Sequence, residues 1–234
     1  MKMHRIRVGS IDVEVIFKDI KNVHLSVHPP QGRVTVSAPH HIDLESVKIY
    51  TATKLPWIKK ERSKMLGQDR QPDKLYLTRE SHYLFGKRYL LKVTKTSRPN
   101  VIQHHSRLEL RIPDHYGEEH MQALLYKFYR RELRSKLDKL VAVYAGKMGV
   151  PVPEFGIRKM KTKWGSCSIE RRFLWFNIEL AKKPEQCLEY IVVHELAHLL
   201  ERHHNKGFTA LVTRFCPNWQ VIKKTLNELP LYHG

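Results

Sequence analysis

The sequence predicts an α+β fold. A mainly antiparallel β region comes first, and a domain with a long helix, a small sheet and a buried histidine-bearing helix follows. Three observations predict it. Much of residues 1–113 alternates apolar and polar side chains with a period of two, the pattern of half-buried strands. Residues 118–147 change to a helical period. Residues 191–200 are apolar except at His194, Glu195 and His198, which reads as a buried helix. A chain of 234 residues makes one large domain or two small ones. The division is expected at 113, giving units 1–113 and 114–234, with 67–74 as a possible linker inside the first.

In chain order, Val13, Val15 and Phe17 alternate with polar residues, as do Val23, Leu25 and Val27. Pro29-Pro30-Gln31-Gly32 makes a turn, and Val34 and Val36 continue beyond it, so an antiparallel meander is expected. His24 and His28 fall on its polar side and read as exposed strand residues. Asp43 is placed to cap a helix running to Leu66, which Pro56 kinks or divides. Trp57 is expected on the sheet. The polar stretch 67–74 contains Pro72. Residues 83–93 read as a hairpin turning at Gly86-Lys87, and strands follow at 101–103 and 108–112. No sequence repeat is evident.

The stripe Leu125, Phe128, Leu133, Leu137, Val141 and Tyr144 defines the long helix. Its other face carries Lys127, Arg130, Arg131, Arg134, Lys136 and Lys139, and Gly146 and Gly149 mark its end. Strands are expected at 155–161, 164–168 and 172–180. Lys159, Lys161 and Lys163 would then alternate along one strand face, either guarding an edge or holding phosphates. Pro184 suits the first turn of the buried helix. Short helices are expected at 208–215 and 221–229, separated by Pro217.

The buried helix carries the chemistry. His194 and His198 are four residues apart, so their imidazoles share a helix face and can converge on one ion. Glu195 follows the first histidine, close enough to reach a water at that ion. This is the H-E-x-x-H arrangement of zinc hydrolases, with the glutamate as general base. The plain structural reading is a core helix whose histidines are hydrogen-bonded. A catalytic zinc needs a third protein ligand, and Glu201, His203 and His204 all follow the helix, whose end is expected near Arg202. Spacing does not choose among them.

Composition narrows the class. The net charge of +19 favours anionic partners and non-specific nucleic-acid affinity. The basic residues are spread along the chain, and no zinc-finger or RNP-like motif is present. No apolar run approaches the ~18 residues of a membrane span, so no membrane partner is expected. The N-terminus Met-Lys-Met-His-Arg leads into strand-like alternation, and a cytoplasmic protein is expected. Cys167, Cys187 and Cys216 are scattered, with no C-x-x-C pair, which argues against a disulfide framework. Cys167 reads as a small buried filler.

The run His194-Glu-Leu-Ala-His198-Leu, then His204 and Phe208, resembles the YgjP-like metallopeptidase family. So do Trp164-Gly-Ser-Cys-Ser168 and Phe176-Asn177 ahead of a proline-started helix. The family pattern ends Asn-His-Ser-x-x-Phe, where this chain has His203-His204-Asn205-Lys-Gly-Phe208. The resemblance implies a zincin-like domain, one Zn²⁺ ion, and His204 as the third ligand beside His194 and His198. In that fold a strand beside the metal helix often receives an extended peptide.

The expected activity is hydrolysis by a zinc-bound water that Glu195 deprotonates. The donor stabilising the developing charge is open among His203, Lys163 and the tyrosines. A peptide substrate is favoured, because a three-histidine site suits zinc whereas phosphoryl transfer usually recruits Mg²⁺. The alternative is a nucleoside triphosphate pyrophosphatase, an activity also attributed to YgjP-like members. A third reading, a non-enzymatic nucleic-acid-binding module, fits poorly, since structural zinc sites are usually closed by four ligands.

Overall fold

A computed structural model describes residues 3–28, 32–66 and 76–228. Packing divides the chain into two compact units, residues 1–70 and 71–232.

The first unit holds β1 (Met3–Val8), β2 (Ile11–Lys18), β3 (His24–His28) and β4 (Arg33–Pro39), then α1 (Leu44–Thr53) and α2 (Leu55–Leu66). The alternation works as expected. Val13, Val15, Val34 and Val36 are buried, and so are Val47 of α1 and Ile58 of α2. The sheet is not a meander. Its order is β1-β2-β4-β3, and β2 pairs with β4 in parallel. Alternation fixes which face is buried but not which strand is the neighbour. Residues 29–31 of the expected turn and the expected linker 67–74 lie outside the described residues.

Asp43 caps α1 by accepting from the Ser46 amide at 2.6 Å. The expected single helix is divided at Lys54, so that Pro56 falls in the first turn of α2, where its missing N–H costs nothing. Trp57 is 44% exposed and Ile58 fills the core instead. His24 is exposed, and His28 Nε2 lies 2.7 Å from Thr35 Oγ1.

The second unit opens with β5 (Ser81–Leu84), β6 (Lys87–Lys95), β7 (Asn100–Gln103) and β8 (Arg107–Ile112). The hairpin turns on Phe85-Gly86, both at positive φ, one residue earlier than expected. The long helix α3 (Glu118–Met148) runs through Gly146 and stops at Gly149, whose φ of +67° closes it in the left-handed conformation. Leu84, Leu91, Leu108 and Leu110 share one core with Leu133, Leu137 and the metal-helix residues Val192 and Val193. The division expected at residue 113 therefore does not coincide with a break in packing.

The two sheets have the same topology. The order β5-β6-β8-β7 reproduces β1-β2-β4-β3, with the inner pair parallel and the outer pairs antiparallel in both. Each is followed closely by a turn at a proline, Pro39 at the end of β4 and Pro113 just after β8, whose carbonyl accepts from the amide three residues on at 3.2 Å. Each then enters a helix after Asp43 or Gly117. The chain thus repeats a ββββα unit that no sequence repeat reveals.

A three-stranded sheet follows, in the order β10-β11-β9: β9 (Glu154–Arg158), β10 (Gly165–Ser168) and β11 (Phe173–Asn177). The strands are shorter than expected. A 3₁₀ helix (Ile178–Lys182) follows β11 directly, and residues 159–164 are a loop. Three helices complete the unit: α4 (Glu185–Ala197), α5 (Lys206–Phe215) and α6 (Trp219–Glu228). No helix among the described residues is long and apolar enough to cross a membrane.

Candidate metal centre

The α4 helix is buried on nearly every side. Leu188, Val192, Val193, Leu196 and Ala197 are fully enclosed, so its polar residues lie where water is scarce. It ends at Ala197, about a turn earlier than expected, with His198 as its cap residue still in helical conformation. The four-residue spacing survives, and the His194 and His198 ring centroids are 5.0 Å apart. The early end frees residues 199–205 to fold back.

That return places His204 against both histidines, with centroids 5.1 Å from His194 and 4.8 Å from His198. His204 Nε2 lies 3.3 Å from His194 Nε2. One ligand atom from each of the three lies within 4.8 Å of the others, a grouping that can hold one metal ion. Among the described residues no other histidine, cysteine or carboxylate cluster does so. His203 is exposed and, like Glu201, stands outside the cluster.

The return loop is fixed at its far end by Asn205. Its side chain caps α5, accepting from the Phe208 amide at 2.9 Å, as a serine would. The cap turns Phe208 under the cluster, 4.6 to 5.0 Å from all three imidazoles. His198 Nδ1 lies 3.3 Å from the Glu201 carbonyl. Since a carbonyl only accepts, Nδ1 donates, and Nε2 keeps the lone pair a metal needs.

The electrostatics suit ligation. Burial, then the neighbouring His198 and His204, push the His194 pKa down to about 3. Burial lowers that of His198 as well. Both are therefore neutral at physiological pH, the form that binds a metal. The donor set and its convergence fit a transition metal, zinc included.

Glu195 is 4% exposed. Burial pushes its pKa up to about 8, against the pull of Lys163. Its carboxylate lies against Gly165 of β10, where an added Cβ would come within 2.6 Å of Glu195 Oε1. Only a glycine there leaves the carboxylate its place. A glycine inside a strand signals such an approach, and Trp164-Gly-Ser-Cys-Ser168 carried that signal without naming its partner.

Asn177, buried at the end of β11, holds the neighbouring loop. Its Nδ2 donates to the Met160 and Lys163 carbonyls at 2.9 and 2.8 Å. Its Oδ1 accepts from the Glu179 amide. The lysines at 159, 161 and 163 therefore do not alternate on a strand. Lys163 lines the cleft, Lys159 lies over the Tyr126 ring, and Lys161 is exposed. Cys167 is half-buried and lines the cleft, so it is not the buried filler expected; partial burial pushes its thiol up to about 11.

The cluster and Glu195 open on one cleft of about 660 Å³. One wall is β10, an edge strand whose outer side pairs with no described strand. Lys163, Arg202 and Lys223 stand around it. Converging imidazoles beside a buried glutamate, in an open cleft, have the makings of a metal-dependent hydrolase. The chain belongs to the YgjP-like metallopeptidase family, whose metallopeptidase-domain model matches residues 21–229. Membership implies a metal cofactor and hydrolytic chemistry.

No curated protein matches the sequence. Among solved structures, the chain is similar to the metallopeptidase zymogen abylysin of Pyrococcus abyssi. That match has 22% identity and a TM-score of 0.37, over 38% of this chain and 90% of that one. The zymogen of jannalysin from Methanocaldococcus jannaschii matches at 22% identity and a TM-score of 0.34, over 38% of this chain and 96% of that one.

Proposed function

We propose that this protein is a zinc-dependent metallopeptidase in which Glu195 is the general base. The observation that carries the reading is the placement of a buried glutamate and three converging imidazoles beside an edge strand. His194, His198 and His204 would hold one zinc ion, leaving a position open for water or substrate. When bound, the ion supplies a Lewis acid and lowers the pKa of water toward about 7.

The chain's own residues do the rest. The outer side of β10 offers backbone donors and acceptors to an extended polypeptide, which adds as a further strand. Glu195 takes a proton from the attacking water and passes it to the leaving amine. Its burial makes it a stronger base than a solvated carboxylate. Gly165 keeps that carboxylate unobstructed. Asn177 holds the loop that brings Lys163 to the cleft.

A second reading has its own observation. Lys163, Arg202 and Lys223 put three cations around the cleft, which suits a triphosphate and hydrolysis of a phosphoanhydride. One experiment separates the two. Zinc-loaded wild type and Glu195→Gln are offered an unfolded polypeptide and, in parallel, a panel of nucleoside triphosphates. Polypeptide cleavage that falls about 10²- to 10⁴-fold in the variant is expected. Glu195-dependent pyrophosphate release without peptide cleavage would overturn the peptidase reading.

A further inference from the structure

A second concave site lies on the outer side of α3, between that helix, β7 and β9. It has a volume of about 620 Å³ and shares no lining residue with the metal cleft. Lys127, Arg130, Arg131 and Arg134 line it, and no acidic residue does. Their spacing places all four on one stripe of the helix. At 1.5 Å per residue the stripe is about 10 Å long. Leu124, Phe128 and Val101 give the groove an apolar floor.

The arginines are held in place. Arg130 Nη1 donates to the Ile157 carbonyl at 2.5 Å, and Arg134 Nη1 to the Phe155 carbonyl at 3.1 Å. The Arg134 guanidinium also lies 4.1 Å from the Phe155 ring centroid. The edge of β9 thus orders two long side chains before any ligand arrives, which lowers the entropy cost of binding. Glu132 and Asp138 bind Arg131 and Arg134 from outside the groove. Lys127 and Arg130 pair with no carboxylate among the described residues.

We propose that this groove binds the sugar–phosphate backbone of single-stranded nucleic acid, independently of sequence. A stripe of four cations about 10 Å long runs alongside about three phosphates of one flexible strand. The concave, partly apolar groove admits one flexible strand, with sugars or bases on the floor. A duplex, convex on both strands, meets only the rim. A net charge of +19 draws the polymer in.

The test is fluorescence anisotropy with a labelled oligonucleotide of about 20 nucleotides, from about 50 to 200 mM salt. The full chain is used without added metal, so the result stands apart from the hydrolase reading. Three proteins are compared: wild type, Lys127→Gln/Arg131→Gln, and Lys59→Gln/Lys60→Gln, which removes the same charge from exposed residues of α2. Wild type is expected to bind with a log–log salt slope of about −2, for about three phosphates at about −0.7 each. The groove pair should lose about 1.5 of that slope and at least about tenfold in affinity, while the α2 pair loses less than about threefold. Equal losses in both pairs would make the charge diffuse and overturn the proposal. So would unchanged binding in the groove pair, or tighter binding of a duplex or of polyglutamate.

Discussion

Gly165 and Glu195 form the most constrained pair in the site. The glycine sits on β10 and the carboxylate on α4, and a methyl group added between them would come within 2.6 Å of Glu195 Oε1. In Gly165→Ala, strand or carboxylate must move. Overpacking of this kind costs about 1–3 kcal/mol, and a misplaced base about 10² in turnover. The variant should remain folded by circular dichroism and lose about 10²-fold in kcat. Full activity would show that Glu195 does not need its present position. The third histidine is decided at the same scale. His204→Ala should weaken zinc affinity by more than about 100-fold, beyond the usual outer-shell effect, and His203→Ala should leave it unchanged. Isothermal titration with zinc checks both, and equal affinities in His204→Ala and wild type would exclude His204 as a ligand.

At the scale of elements, the long helix and the metal helix were legible because burial imposes a period on each. Leu133, Leu137, Val141 and Tyr144 keep one face of α3 in the core, and only a helix puts that spacing on one side. The parallel pairing of β2 with β4 was not legible, since Val13 and Val34 would alternate identically in a meander. Nor was the repeated ββββα unit, because strand order and direction persist without matching side chains. The H-E-x-x-H pair was visible in spacing alone, whereas the choice of His204 over its neighbours depends on where α4 stops and how Asn205 caps α5. The lysine loop was misread as a strand because its fold depends on Asn177, far from it in sequence. Asn177→Ala removes its hydrogen bonds to two part-buried carbonyls and to the Met160 and Glu179 amides, and should cost about 2–3 kcal/mol. Urea denaturation measures that loss, and a loss under about 0.5 kcal/mol, the size of a surface change, would mean that the loop holds itself.

At the scale of the whole molecule, a buried cation sets a pH dependence. Lys183 is 2% exposed, and burial pushes its pKa down from 10.5 to about 8, although Glu179 favours the charge. Below about pH 8 both folded and unfolded chains carry this proton, and the fold bears the full cost of burying it. Between about 8 and 10.5 the unfolded chain holds more of the proton, so this group's contribution to stability rises with pH. Lys183→Met removes the charge while Glu179 keeps Lys182 and Tyr126 as partners. The stability difference between variant and wild type should therefore shift in favour of wild type by about 2–3 kcal/mol between pH 7 and 10. Parallel stability profiles would show that Lys183 is charged in the fold throughout.

The account rests on a metal held by three histidines and a base, Glu195, that acts without binding it. The most direct measurement takes zinc content and polypeptide turnover from the same preparations of wild type and Glu195→Gln. Equal zinc with turnover confined to the wild type is the expected result. Equal turnover in the two proteins, or a variant that loses its zinc along with its activity, would contradict it.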